Sequence, residues 1–146
     1  MEDAALVRVR EAGNNDIPAL AALTGQLGYP ATADQMAERL SRIATDRNRT
    51  TFVAERMGRV VGYAGVWSGQ NYEADAPQSR VMAFVVDSAE RRQGIGTALM
   101  DAIEAWSRAR GVAVIVLNSG DGRDDAHAFY ERLGYRSTAR RYLKRL

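Results

Sequence analysis

Arg91-Arg92-Gln93-Gly94-Ile95-Gly96-Thr97 lies between two segments of different periodicity. Before it runs Val81-Met82-Ala83-Phe84-Val85-Val86, an apolar stretch of strand character. After it, Ile95, Leu99, Ile103 and Trp106 recur at near-helical spacing, which predicts an amphipathic helix over 94–110. A strand, a turn rich in Arg and Gly, and a helix together make an anion pocket. The free N–H groups of the first helical turn point at the ligand, and the helix dipole adds roughly half a positive charge there. Gly94 and Gly96 carry no Cβ, so a phosphate can come close to the backbone, while Arg91 and Arg92 add charge. The stretch predicts a phosphorylated ligand.

Two common nucleotide motifs fail on inspection. A dinucleotide fingerprint needs a small residue where Leu99 stands, and a P-loop needs Gly-Lys-Ser/Thr, whereas the sole lysine is Lys144. The glycines could also serve the turn alone.

Working outward, Leu6-Val7-Arg8-Val9-Arg10 alternates apolar and basic residues and reads as a first strand. Asn14-Asn15-Asp16 supplies cap chemistry for a helix with Pro18 in its first turn. A second helix begins at Thr32, with Gln35 completing a capping box. Residues 50–56 and 60–68 are strands around a tight Met57-Gly58 hairpin, and Gly62 and Gly65 could mark a bulge. A polar loop covers 69–78. Residues 112–117 are too apolar for an exposed edge and read as a buried strand. A short helix from Asp124 or Asp125 to Gly134 and two short strands near 135–137 and 140–143 complete the chain. Pattern alone gives an α/β or α+β fold with helices covering a sheet.

A chain of 146 residues is expected to form one domain, 1–146. It holds no apolar run of about 18 residues, so no membrane span is expected. Its N-terminus lacks a basic region followed by an apolar one, which argues against secretion. Zero cysteines excludes disulfides and thiolate metal sites and agrees with a cytoplasmic location. A single histidine, His127, rules out the usual histidine metal site, so no metal is expected. Net charge is +2, and the one basic cluster, Arg136 with Arg140, Arg141, Lys144 and Arg145, reads as a solvated hairpin in preference to a nucleic-acid patch.

A second constellation narrows the reading. Residues 129–135, Phe-Tyr-Glu-Arg-Leu-Gly-Tyr, follow the glycine turn across one helix and one strand. Together with Arg-x-x-Gly-x-Gly from Arg91, this sequence resembles the GNAT superfamily of N-acetyltransferases over nearly its whole length. The resemblance implies a mixed, mostly antiparallel central sheet of 6–7 strands with helices on both faces. The order is β-α-α-β-β-β-α-β-α-β-β, and the fourth and fifth strands splay to admit the pantetheine arm of acetyl-CoA.

It also implies roles. Pyrophosphate would sit on the N–H groups of Arg92, Gln93, Gly94, Ile95, Gly96 and Thr97, with Arg91 beside them. The backbone of Phe84, Val85 and Val86 would pair with the pantetheine amides, and an N–H near Val85 or Val86 would stabilise the oxyanion. Tyr130, with Phe129 next to it on the cofactor side, would give a proton to the departing CoA thiolate. A phenol with an ordinary pKa of ~10 can protonate a thiolate whose acid has ~8.5 at an uphill cost of about 2 kcal/mol. Many members have Asn where this chain has Arg123; Asn118 is a stand-in for it, and Arg123 could meet cofactor phosphate or solvent.

An acceptor amine of pKa ~10.4 must lose its proton, at a cost of about 4.6 kcal/mol at pH 7. Glu73, Asp75 and His127 are the candidate bases; histidine ordinarily titrates near neutrality, though a lone histidine is more often structural. Tyr29, Trp67, Tyr72, Glu73 and Asp75 are the candidate acceptor contacts, since aromatic rings and carboxylates suit a cationic amine. The acceptor stays open between a small-molecule amine and a protein amino group. A non-catalytic acyl-CoA-binding module, a different acyl donor and a homodimer also stay open.

Overall fold

The structure is a computed structural model that describes residues 6–119 and 124–146. The chain divides after Val116 into two units.

In the first unit, β1 (Val7–Glu11), β2 (Arg49–Arg56), β3 (Arg59–Gly69) and β4 (Gln78–Val86) form successive antiparallel pairs. β5 (Val114–Leu117) follows β4 in the sheet order, and Ala113 N–H donates to Pro77 O at 3.2 Å just before it. The β2–β3 hairpin turns through Met57 at φ 56° and Gly58 at φ 75°. Two successive left-handed residues make a type I′ turn, whose twist matches the strands it joins.

The faces of the sheet follow from two bulges. Ala54 lies opposite Gly62 but Glu55 opposite Val60, so Val61 is an extra residue in β3. Gly65 lies opposite Ala83 but Val66 opposite Val81, so Met82 is an extra residue in β4. A bulge reverses the in–out alternation beyond it. Thus Ser79 bonds to Ser107 (2.6 Å) on α3 (Ile95–Ala109), while Val85, also odd-numbered, packs with Leu20, Leu23 and Met36 of α1 (Ile17–Gln26) and α2 (Ala33–Ala44). Of the two glycines flagged in the sequence, each lies beside one of these irregularities.

Gly62 also sets how closely α3 can lie. A Cβ there would stand 3.2 Å from Ile95 and 3.3 Å from Leu99. Its neighbour Tyr63 packs against α1 and α2, so the helices cover opposite faces. Ile95, Leu99, Met100 and Ile103 are all buried, each contributing roughly 2 kcal/mol of hydrophobic stabilisation. Polar groups in this core are paired: Thr24 Oγ1 meets Tyr63 OH at 2.7 Å. Burial raises the Tyr63 pKa, a shift that the Thr24 bond opposes.

α2 begins as its sequence predicts, with Gln35 N–H donating to Thr32 Oγ1 (3.1 Å) and Thr32 N–H to the Gln35 side chain (2.9 Å). The far end of the chain departs from expectation. β5 is shorter than the apolar run and not fully buried, with Val114 54% exposed; among the described residues it is the last strand in the sheet order. Residues 135–146 form no strand, so the described residues hold five strands, not six or seven. Their apolar members, Tyr142, Leu143 and Leu146, are exposed amid Arg140, Arg141, Lys144 and Arg145, which leaves no continuous apolar face to pair.

The second unit contains α4 (Asp124–Arg132), with Asp124 and Asp125 in its first turn, where the dipole favours negative charge.

Candidate active site

Between β4 and α3 the chain makes a compact set of turns. Asp87 N–H donates to Val61 O (2.8 Å), and its carboxylate accepts Ala89 N–H (3.0 Å), starting a 3-10 turn over Ser88–Glu90. Arg92 then adopts φ 66°, and Gly94 adopts φ 78° and ψ 9° as the N-cap of α3. Positive φ costs about 1 kcal/mol or more at a residue bearing a Cβ, and such strain collects at ligand clamps. Left-handed Gly94 followed by the helical Ile95 is also the geometry of a backbone anion nest. Gly94 has no side chain to cap the helix, so the first-turn N–H groups of Ile95, Gly96 and Thr97 have no intrahelical acceptor. Arg91, Arg92 and Gln93 are exposed, and Ile95 is buried as the anchor.

β4 divides its backbone between two sides. Asp87 bonds to Val61, and Tyr63 lies opposite Val85 in the same register, so Val85 directs its N–H and C=O at β3. Phe84 and Val86 therefore turn theirs away from β3. Val85 contributes its side chain to the α1/α2 core instead.

The candidate acceptor residues differ in how they are held. Tyr29 follows Gly28 (φ 105°) at the end of α1 and is 64% exposed. Trp67 is half-buried, and its indole lies across Gly69, where any Cβ would overlap the ring. Tyr72, Glu73 and Asp75 are exposed on the loop before β4. Two residues missed in the sequence organise that loop. Gln70 Nε2 donates to Ala74 O (2.8 Å) and Asp75 O (3.2 Å), while Asn71 Oδ1 accepts Glu73 N–H (3.0 Å) and Ala74 N–H (2.9 Å). The signal was the Asn itself, which commonly bonds its own backbone two or three residues on.

In the second unit, the Leu-Gly-Tyr ending of α4 has a physical explanation. Gly134, at φ 92°, donates its N–H to Glu131 O (3.0 Å), and Tyr135 N–H donates to Tyr130 O (3.0 Å). This pair of bonds is a Schellman cap, which brings the residue after the glycine back against the last turn. The Tyr135 ring accordingly meets Tyr130 edge to face at 6.4 Å, and Phe129 meets it at 5.4 Å. Tyr130 is thus fixed by its own helix end. His127 lies one turn earlier, half-buried, and Asn118 is exposed after β5. Arg123 lies outside the described residues.

The sequence profile of the acetyltransferase (GNAT) family matches residues 18–135, which include both the glycine turn and the tyrosine helix. The chain belongs to the GNAT acetyltransferase family. The family's acyl donor is acetyl-CoA. The chain is 29% identical over 136 residues to an aminoglycoside N(6')-acetyltransferase type 1 of Stenotrophomonas maltophilia, covering 90% of this chain and 88% of that protein. It is 28% identical over 98 residues to human N-acetyltransferase 8, a match that covers 67% of this chain but spans only 43% of the relative's length. Among solved structures, a GNAT family acetyltransferase of Staphylococcus aureus superposes with a TM-score of 0.82 at 27% identity, covering 96% of this chain and 98% of that one.

One ion-pair cluster ties β1 and β2 to the turn that leads into α1 of this GNAT chain. Arg10 donates to both carboxylate oxygens of Asp16 (2.8 and 2.9 Å) and to Glu55 (2.7 Å), and Gly13 N–H donates to Asp16 at 2.7 Å. The Arg10 guanidinium chiefly, aided by Gly13, holds the Asp16 carboxyl below its ordinary pKa despite burial. A depressed carboxyl stabilises the fold fully above its unfolded pKa and loses that contribution as pH falls through the folded value. Asp16→Asn should therefore cost about 2 kcal/mol at pH 7. In urea unfolding, the gap from wild type should close as pH falls below ~4; a gap unchanged at pH 3 would assign the loss to packing.

No helix among the described residues is long and apolar enough to cross a membrane.

Proposed function

We propose that this chain transfers an acetyl group from acetyl-CoA to a primary amine of a small, cationic molecule. The observation that carries the reading is the anion cradle at Arg91 to Thr97, which a single family match joins to the Tyr130 helix. That match runs across both units, which supports one catalytic domain. Pyrophosphate rests on the N–H groups of the cradle. The amides of the pantetheine arm pair with the outward-turned backbone of Phe84 and Val86, and Val86 N–H is the donor for the thioester oxygen as it gains charge.

The neutral amine attacks the carbonyl carbon. As the C–N bond forms, electrons move onto the oxygen; they return as the C–S bond breaks and the thiolate takes its proton from the Tyr130 hydroxyl. The proton lost by the amine leaves through Glu73 or His127, and solvent restores the phenol. Held close, amine and thioester react without the entropy cost of a bimolecular encounter.

The relative from Stenotrophomonas, similar along most of both chains, favours an amino sugar as acceptor over a protein amino group. The exposed rings of Tyr29 and Tyr72 and the carboxylates of Glu73 and Asp75 suit a polycation, through cation–π contact and ion pairing. Calorimetric titration with acetyl-CoA and with desulfo-CoA, followed by thiol release across a panel of amino sugars and simple amines, tests the reading. Binding of both with turnover on an amine is expected. Binding without turnover on any amine would leave an acyl-CoA-binding module, and no binding at millimolar ligand would remove the cradle assignment.

A further inference from the structure

The turn that leads into the anion cradle carries as many negative charges as positive ones. Glu90 immediately precedes Arg91 and Arg92, and Asp87 lies three residues before it, so the formal charges of this stretch cancel. Two arginines from elsewhere in the sheet alter that balance. Arg56, at the end of β2, donates Nη1 to Glu90 Oε2 at 2.9 Å, with both side chains about four-fifths buried. Arg59, at the start of β3, stands 4.0 Å from both Asp87 and Glu90 but is largely exposed. Gln26 of α1 completes the clamp, accepting Ser88 N–H (2.9 Å) and donating to Asp87 (3.3 Å).

Bracing alone does not account for an arginine at position 56. Its Nε is buried with no hydrogen-bond partner, a cost that a neutral or smaller side chain at that position would avoid. Gln26, a side chain without charge, already holds the turn through its bonds to Ser88 and Asp87. What Arg56 adds is a positive charge, partly withdrawn from solvent, directly on the carboxylate nearest the cradle.

We propose that Arg56 is a positioning residue that masks the charge of Glu90 and so sets the affinity of the cradle for the diphosphate of acetyl-CoA. This rests on the reading of Arg91 to Thr97 as the phosphate site. With Glu90 masked, Asp87 is the one carboxylate of the turn left to oppose Arg91, Arg92 and the helix dipole. With Arg56 removed, a carboxylate one residue from the cradle repels a doubly charged group in a partly desolvated setting.

Charge masking and mechanical bracing predict opposite results for the two single variants. Acetyl-CoA affinity is measured by calorimetry for wild type, Arg56→Gln, Arg56→Lys, Glu90→Gln and the Arg56→Gln/Glu90→Gln double variant, with a thermal melt on each. Arg56→Gln should bind about tenfold more weakly at low salt, or about 1.4 kcal/mol. The difference should shrink in about 1 M salt, where the Debye length is about 3 Å. Arg56→Lys should stay near wild type, Glu90→Gln should bind at least as tightly, and the double variant should recover to within about twofold of wild type. The turnover number at saturating acetyl-CoA should hold steady in all of them. Equal weakening by Arg56→Gln and Glu90→Gln would make the pair a brace and overturn the proposal, as would an Arg56→Gln protein that binds normally. A wild-type protein that fails to bind acetyl-CoA would overturn the phosphate-site reading and this proposal together.

Discussion

Gly96→Trp should abolish acetyl-CoA binding while the sheet stays folded. Gly96 stands in the first turn of α3, between buried Ile95 and exposed Thr97, on the turn whose N–H groups face the cradle. An indole there fills the space that the pyrophosphate needs and covers the donors. The helix itself should not suffer, since glycine is a poorer helix former than tryptophan by a few tenths of a kcal/mol. Calorimetry should show affinity reduced by about a hundredfold or more, at least ~2.7 kcal/mol. A melting temperature close to wild type would show that the core is intact. A folded Gly96→Trp protein with unchanged affinity would place the phosphates elsewhere.

The second large effect is expected at Tyr130. Tyr130→Phe keeps the ring, and with it the contacts to Phe129 and Tyr135 and the Schellman cap that fixes the helix end. Only the hydroxyl is lost. If that hydroxyl protonates the thiolate, kcat should fall by about a hundredfold with acetyl-CoA affinity unchanged. Single-turnover kinetics would establish that chemistry, not product release, is being read. Equal single-turnover rates in the two proteins would take the acid role away from Tyr130.

Local signals in the sequence reported local structure well. The capping box at Thr32 and Gln35, the hairpin at Met57-Gly58 and the glycine entry to α3 depend on a few adjacent residues, and each formed as read. The family was legible because two motifs, far apart in sequence, occur in the order and spacing that the family shares, and both fall within its profile match. What escaped depended on long-range pairing. Residues 135–143 have enough apolar character to suggest strands, yet pairing needs a continuous face and a neighbour, and neither is visible from composition. The same holds for β5, whose apolar run suggested burial although Val114 is 54% exposed.

Within the candidate site, the residues nominated for chemistry stood out in the sequence more than those that hold the backbone around them. Gln70, Asn71 and Arg56 look ordinary in the sequence, because a side chain that bonds to a backbone or masks a carboxylate leaves no recurring pattern. Glu73 and Asp75 were nominated for their charge and their place in the loop before the fourth strand, and the structure adds that their backbone is tethered to Gln70 and Asn71. Phe84 and Val86 became distinguishable from Val85 only through the register with β3.

The extra residue in β4, Met82, has a bearing on what changes of length this chain can accept. It acts as a half-turn in the phase of the strand: upstream residues face one layer, and downstream residues of the same parity face the other. Deleting Met82 would remove only the extra residue: Val81 would stay opposite Val66, Ala83 opposite Gly65 and Val85 opposite Tyr63, so Val85 would keep its place in the α1/α2 layer and Phe84 and Val86 their outward amides. The bulge thus gives β4 one residue of slack. A missing codon at that point should leave the site in phase, just as insertions in the loop ahead of Gln78 could change its reach without altering that phase.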